Sequence, residues 1–298
     1  MSWQAELIDV ALRLVFKRQL QRLADVPVAR RAFRRATRLV RPTPYTVVRH
    51  RPGGLVWISS GAAQPGRVIL YFHGGGYIVG SPRTHEAMLA RMARLSGVEV
   101  CAPIYRLAPE TPFPGAFEDA QAAWSRLRTL GYEPEDIVLA GDSAGGGLAL
   151  ALLADRCQAG EPPAAAFAFS PWTDLALTGR SLSENREADP LLPAERIEEL
   201  REYYLAGQDP TDPRCSPLRA VFPNCPPVLL QCADTEILRD DTLRMAEHLR
   251  AAGASVTLTV EHRLPHVWHL LDGWLPKARA SLRQVAAFVQ ASFTVVSR

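Results

Sequence analysis

The sequence predicts an α/β fold, with a mostly parallel sheet covered by helices on both faces. Three observations carry this. The strand candidates are near-continuous apolar runs, such as Arg67–Phe72 (Arg-Val-Ile-Leu-Tyr-Phe), as expected of strands buried on both sides. These runs alternate with segments of helical periodicity, the pattern of successive βα units. The chain has 298 residues, 47% of them apolar, which is enough for one large core.

The elements follow in order. Trp3, Leu7, Ile8, Ala11, Leu14 and Val15 recur at helical spacing, so residues 3–20 predict an amphipathic helix. A second, basic helix is predicted over 27–39, before Pro42 and Pro44 break the pattern. Residues 45–50 and 55–59 read as edge strands. Then come strand 67–72, helix 84–95, strand 98–103, helix 116–129, strand 136–140, helix 143–156 and strand 165–170. The alternation resumes at strand 227–232, followed by helix 240–252, strand 255–260 and helix 276–292. Between them, 172–224 is less periodic, with one polar helix near 194–205. That stretch far exceeds the usual connection of about 2–6 residues, so it reads as an inserted cap. We expect a single domain, with a cap from about 1–40 and about 172–224 over a core of 45–171 and 225–298.

Charge is unevenly spread. Residues 1–52 hold eleven Arg and Lys17 against Glu6, Asp9 and Asp25, a local excess of nine within a net of +3, so the remainder carries −6. Lysine is otherwise nearly absent, so we read the excess as a solvated helical face of an Arg-rich chain rather than an arm for nucleic acid or membrane. Cys101, Cys157, Cys215, Cys225 and Cys232 show no paired or metal-ligand spacing, which suits free thiols in a reducing compartment. Charges interrupt the N-terminal segment, and no stretch approaches the ~20 apolar residues of a membrane span. The expectation is a cytoplasmic protein without stable membrane insertion.

Gly141-Asp142-Ser143-Ala144-Gly145 matches G-x-S-x-G, directly after a predicted strand and opening a helix. This is the context in which a serine sits on a sharp, strained turn above the sheet of an α/β-hydrolase fold. Glycines at 141 and 145 let neighbouring backbone approach, and the following helix N-terminus favours negative charge nearby. No G-x-G-x-x-G follows a first strand and no G-K-[ST] occurs, so dinucleotide and P-loop readings fail.

His73-Gly74-Gly75-Gly76 follows the strand 67–72. Acyl transfer develops an oxyanion, which backbone N–H groups of a glycine loop can stabilise. We assign Gly74 and Gly75 as donors, with Ala144 as the third, and give His73 a loop-holding part.

A base and an acid must follow in the order Ser, Asp or Glu, His. His248 falls within a predicted helix. His262, His266 and His269 remain, with His266 after Pro265 on the expected loop. They show no zinc-ligand spacing, and no metal or other cofactor is called for. For the acid, Asp234, Glu236, Asp240 and Asp241 compete. The last two look like first-turn helix acids, and position alone does not separate Asp234 from Glu236.

With these motifs in hand, residues 45–295 resemble the hormone-sensitive-lipase-like esterases, also called bacterial family IV. The marks are Tyr71–Tyr77, Tyr105-Arg106-Leu107-Ala108-Pro109-Glu110, Phe113-Pro114, Glu118-Asp119, Gly141–Gly146 and Ser170-Pro171-Trp172. In that family the acid stands four residues before an Asp. Asp240 fills the latter place, so the resemblance selects Glu236. The family's usual His-Gly-Phe appears as His266-Val267-Trp268, which selects His266. Tyr105–Glu110, Phe113–Asp119 and His85 read as scaffold.

The resemblance implies a carboxylesterase acting on short- to medium-chain esters through Ser143, Glu236 and His266, with a small-molecule ester as partner. Trp3, Tyr77, Trp172, Tyr203 and Tyr204 are candidate pocket residues. Lactone hydrolysis or amide deacetylation on the same site are the alternatives. A non-catalytic ligand-binding protein of this fold is disfavoured by His266 following Glu236. A homodimer through 255–260 and 276–292 also comes with the resemblance.

Overall fold

The computed structural model describes residues 3–22, 25–37, 40 and 42–294. At its centre lies an eight-stranded sheet made of β1 (Thr46–Arg51), β2 (Leu55–Ser60), β3 (Val68–Phe72), β4 (Glu99–Pro103), β5 (Ile137–Asp142), β6 (Ala165–Phe169), β7 (Val228–Ala233) and β8 (Val256–Glu261). Their spatial order is β1-β2-β4-β3-β5-β6-β7-β8. β1 and β2 pair antiparallel, as do β2 and β4; the remaining neighbours are parallel.

Strands β3, β5, β6 and β7 are buried along their whole length, which their apolar sequences require. Period-two alternation sorts their side chains. Leu70 and Phe72 face a core completed by α5 (Gly115–Thr129), α6 (Ser143–Gln158) and α9 (Arg239–Ala251). Ile69 and Tyr71 face the other core, against α4 (Pro82–Ser96) and α10 (Pro276–Thr294). The expected alternation from strand 67–72 onwards thus matches the observed elements.

Outside the sheet, the single helix expected over 3–20 is α1 (Trp3–Ala11), a π-helical turn (Leu12–Lys17) and α2 (Arg18–Arg22). The second N-terminal helix, α3 (Val26–Ala36), starts on Asp25, whose carboxylate accepts from Val28 N, with Pro27 in its first turn. Residues 38 and 39 of that expected helix lie outside the described residues, as does the side chain of Trp3. The insertion between β6 and β7 holds α7 (Ser181–Glu184), which the sequence did not signal, and α8 (Ile197–Leu205).

The N-terminal helices pack on this insertion and on the loops after β3 and β4. Arg13 and Lys17 bond the 186–189 backbone, Gln21 bonds Glu195, and Arg30 reaches Ile78 O, Ala108 O and the Glu110 carboxylate. Part of the basic excess is therefore consumed inside the fold. Arg31, Arg34 and Arg35 stay exposed. No helix among the described residues is long and apolar enough to cross a membrane. All five cysteines are free.

Candidate active site

Ligand sites of open α/β sheets sit at the carboxyl ends of the strands, and the candidate residues gather there. Strand β5 ends at Asp142 and α6 begins at Ser143, which has φ +52°. A left-handed serine is uncommon and is held only where its surroundings over-determine it. The flanking glycines do so. A Cβ on Gly145 would strike the carbonyls of Phe72 and His73, and one on Gly141 would strike the Gly145 carbonyl. Glycine at both places lets α6 close against β3, and Ser143 remains partly exposed.

Glu236 lies in the loop after β7 and is fully buried. Its Oε1 accepts from Ala233 N at 2.6 Å and from Ser170 Oγ at 2.9 Å. Its Oε2 lies 2.6 Å from His266 Nδ1. His266, in the loop after β8, is 6% exposed, and its Nε2 is buried with no hydrogen-bond partner among the described residues. Burial pulls the imidazole pKa down, but the Glu236 bond and charge, with the charges of Asp189 and Asp142, outweigh it and hold the pKa above 6.5. This is the electrostatic setting of a general base oriented by a carboxylate.

The rival residues pair elsewhere. Asp234 Oδ2 lies 2.6 Å from His262 Nδ1, in a pair on the surface with the His262 side chain 75% exposed. His269 is stacked on Phe169 at 3.7 Å and bonded through Nε2 to Gln231; burial lowers its pKa to about 3. Asp240 and Asp241 head α9 as expected and bind the insertion backbone, Asp240 at Ser181 N and Asp241 at Thr173 N and Asp174 N. His262, His266 and His269 thus face three different partners.

Beneath the serine turn lies a buried polar floor. Asp142 Oδ1 accepts from Tyr71 Oη at 2.8 Å and from Gly74 N at 3.0 Å, and Oδ2 is 3.3 Å from His85 Nε2. Tyr105 donates to the His73 carbonyl at 2.6 Å and stacks on the His73 ring at 4.3 Å. His73 Nδ1 lies 2.9 Å from Gly74 O, and burial, with the neighbouring His85, lowers its pKa to about 3. His73 and Tyr105 thus brace the glycine loop directly, and His85 meets it through Asp142.

This floor corrects one expectation. The Gly74 N–H points down to Asp142 and is already committed. Only beyond it does the chain turn, at Gly75 (φ +125°) and Gly76 (φ +59°). The N–H groups of Gly75 and Gly76 make no hydrogen bond within the described residues. Ala144 lies in the first turn of α6, where an N–H has no intrahelical acceptor.

The aromatic candidates also differ from expectation. Tyr77 stacks on Tyr204 at 3.7 Å and packs near Trp172 at 6.3 Å; each of the three is 1% exposed. Stacking leaves all three with almost no open surface. Tyr203 is half-buried, and Leu200 of α8 sits over Gly76. In the sequence Ser170 stands out only as part of Ser170-Pro171-Trp172. Its Oγ donates to Glu236 and accepts from Val267 N at 3.3 Å, so one hydroxyl ties the acid loop to the histidine loop. The only signal in the sequence was a polar residue directly after the apolar run 165–169; its left-handed backbone (φ +46°) is what the structure adds.

Comparison with known proteins agrees with this architecture. A family model of the alpha/beta hydrolase fold matches residues 69–270. An acetyl-hydrolase of Streptomyces hygroscopicus is 40% identical over 230 residues, 77% of each chain. An esterase of Acinetobacter venetianus is 34% identical over 228 residues, covering 76% of this chain and 75% of its own. The crystal structure of an esterase from the bacterial hormone-sensitive lipase family superposes with a TM-score of 0.93 at 35% identity, covering 98% of this chain and 99% of its own. With the serine turn on β5 and the glycine loop after β3, these likenesses place the chain in the α/β-hydrolase family, among the hormone-sensitive-lipase-like esterases.

Proposed function

We propose that the chain hydrolyses short- to medium-chain carboxylic esters through a covalent acyl-enzyme, with Ser143 as nucleophile, His266 as general base and acid, and Glu236 as the supporting acid. The observation that carries this is the buried Glu236–His266 pair at 2.6 Å, with His266 Nε2 unpartnered among the described residues, at the same carboxyl end of the sheet as the strained Ser143 turn.

In the first half-reaction, His266 Nε2 takes the Ser143 hydroxyl proton as Oγ bonds to the ester carbonyl carbon. The oxyanion is received by the N–H groups of Gly75, Gly76 and Ala144, and Gly74 positions that loop through Asp142. The carbon–oxygen bond to the alcohol breaks, and His266 returns the proton to the leaving alcohol. In the second half, His266 takes a proton from water, whose oxygen attacks the acyl carbon. Ser143 leaves with that proton and the carboxylic acid is released. Glu236 keeps the Nδ1–H tautomer and stabilises the imidazolium.

Residues 3–36 and 172–224 are proposed as the cap. Leu200 over Gly76 restricts the space above the glycine loop, which suits small acyl groups. The likeness to an acetyl-hydrolase points the same way. A homodimer is proposed through β8, an edge strand with Val260 44% exposed, and the mass in solution tests it.

The experiment is a series of p-nitrophenyl esters from acetate to palmitate, with wild type and Ser143→Ala in parallel. Turnover greatest at acetate or butyrate and abolished in Ser143→Ala supports the reading. Equal turnover in the two proteins removes Ser143, and a maximum at palmitate removes the proposed acyl range.

A further inference from the structure

The acid loop is gripped from a side that the proposed reaction does not use. After α7 the chain makes a turn at 185–188 and reaches Asp189. Asn185 and Asp189 are buried, 8% and 0% exposed. Asn185 Nδ2 donates to the Asp234 carbonyl at 2.9 Å and to the Glu236 carbonyl at 2.8 Å. Asp189 Oδ2 accepts from Ile237 N at 3.0 Å, while its Oδ1 accepts from Leu191 N and Leu192 N at 2.9 Å. The Glu236 carbonyl and the Ile237 N–H belong to one peptide unit. Its two ends are therefore held by two side chains of the insertion, which fixes the plane from which the Glu236 side chain departs.

The same turn is held from outside. Lys17 Nζ donates to the carbonyls of Arg186 and Asp189, both at 2.8 Å. Arg13 donates to those of Glu187 and Ala188, both at 2.6 Å. Four consecutive carbonyls thus meet two cations, and both cations stand on the π-helical turn of the N-terminal helix. Such turns occur often where a helix is bent to a task. Arg13 is oriented in turn by Asp9 at 2.7 Å.

We propose that Asn185 and Asp189 are positioning residues for Glu236, and that Arg13 and Lys17 set them, so that the N-terminal helix governs turnover through the acid rather than through contact with substrate. The inference rests on the Ser143–His266–Glu236 reading. Asp189 has a second effect. Three carboxylates, those of Glu236, Asp189 and Asp142, act on the His266 imidazolium, and the His269 imidazole opposes it; burial raises the pKa of the Asp189 carboxyl itself, against the His266 charge and the Ile237 and Leu192 N–H groups. Loss of the Asp189 charge weakens the hold on that imidazolium.

The test compares Arg13→Met/Lys17→Met, Lys17→Arg and Asp189→Asn with wild type on p-nitrophenyl acetate. Controls are Ser143→Ala and Glu236→Ala. A displaced acid costs about 10- to 100-fold. We expect that loss in kcat, with KM unchanged, for the double variant and for Asp189→Asn, and substantial retention in Lys17→Arg, which keeps the cation. In Asp189→Asn the acid limb of kcat/KM should also move to lower pH. If Asp189→Asn fails to fold, the double variant decides, because its side chains are part-exposed. Wild-type kcat in the double variant overturns the proposal, as does a change confined to KM. If either control keeps wild-type turnover, the triad reading falls instead.

Discussion

Replacing Glu236 by Gln tests the acid with almost no change of shape. Glu236 Oε1 receives two donors, Ala233 N and Ser170 Oγ, while Oε2 faces His266 Nδ1. Glutamine has one acceptor oxygen. The two donors hold that oxygen at the Oε1 place, which turns the amide NH2 against His266 Nδ1. The imidazole must then offer a lone pair at Nδ1 and carry its proton on Nε2, the tautomer that cannot take a proton from Ser143. The reverse amide orientation leaves two buried donors opposed to an NH2, at about 1–3 kcal/mol each, so the wrong tautomer prevails. The expected loss is about 10⁴-fold in kcat, or about 5 kcal/mol, with KM little changed. Steady-state hydrolysis of p-nitrophenyl acetate measures it, and an unchanged melting temperature shows that the fold is intact. A Glu236→Gln enzyme within about tenfold of wild type refutes the reasoning. So does a deeper loss in Asp234→Asn, whose carboxylate serves His262 on the surface.

Further predictions follow from the same contacts. The neutral imidazole is the base and its pKa is held above 6.5, so kcat/KM should fall as pH falls, with an acid limb above 6.5; a limb below that value contradicts the assignment. Ser170→Ala removes a hydrogen bond to a buried charge, worth about 1.5–3 kcal/mol, and should lower kcat about 10- to 100-fold. Unchanged turnover in a folded Ser170→Ala protein would show that the acid needs no such support. Burial raises the Asp241 pKa from 3.8 to about 7. Below pH 3.8 folded and unfolded chains both carry the proton; from there to about 7 the unfolded chain alone gives it up. Stability from this group is thus lost as pH rises through that window, by about 1.4 kcal/mol per unit. Urea unfolding across the window should show this slope in wild type and lack it in Asp241→Asn.

Much of this was legible in the sequence, for reasons specific to each element. Apolar runs such as 68–72 had to be strands buried on both sides, and G-x-S-x-G had to open a helix because only Gly at 141 and 145 permits the crossing backbones. What was not legible depends on contacts distant in the chain. The two His–acid pairs, Asp234–His262 and Glu236–His266, lie 28 and 30 residues apart, so spacing could not say which pair faces inward. Gly74 looked equivalent to Gly75 until the Asp142 carboxylate, 68 residues away, took its N–H. Tyr77, Trp172 and Tyr204 had the right chemistry for a pocket, but stacking between the β3 loop and α8 closed them off. The insertion was visible from its length, whereas its grip on the Glu236–Ile237 peptide arises only when 185–189 meets 234–237.

The most direct test of the account is to trap the acyl-enzyme. The protein is mixed rapidly with p-nitrophenyl acetate, quenched in acid, digested and mapped by mass spectrometry. The account predicts one acetyl group on Ser143, formed at the rate of the p-nitrophenol burst and absent from Ser143→Ala and Glu236→Gln sampled at the same time. Acetyl on another residue, or full turnover in Ser143→Ala, would contradict it.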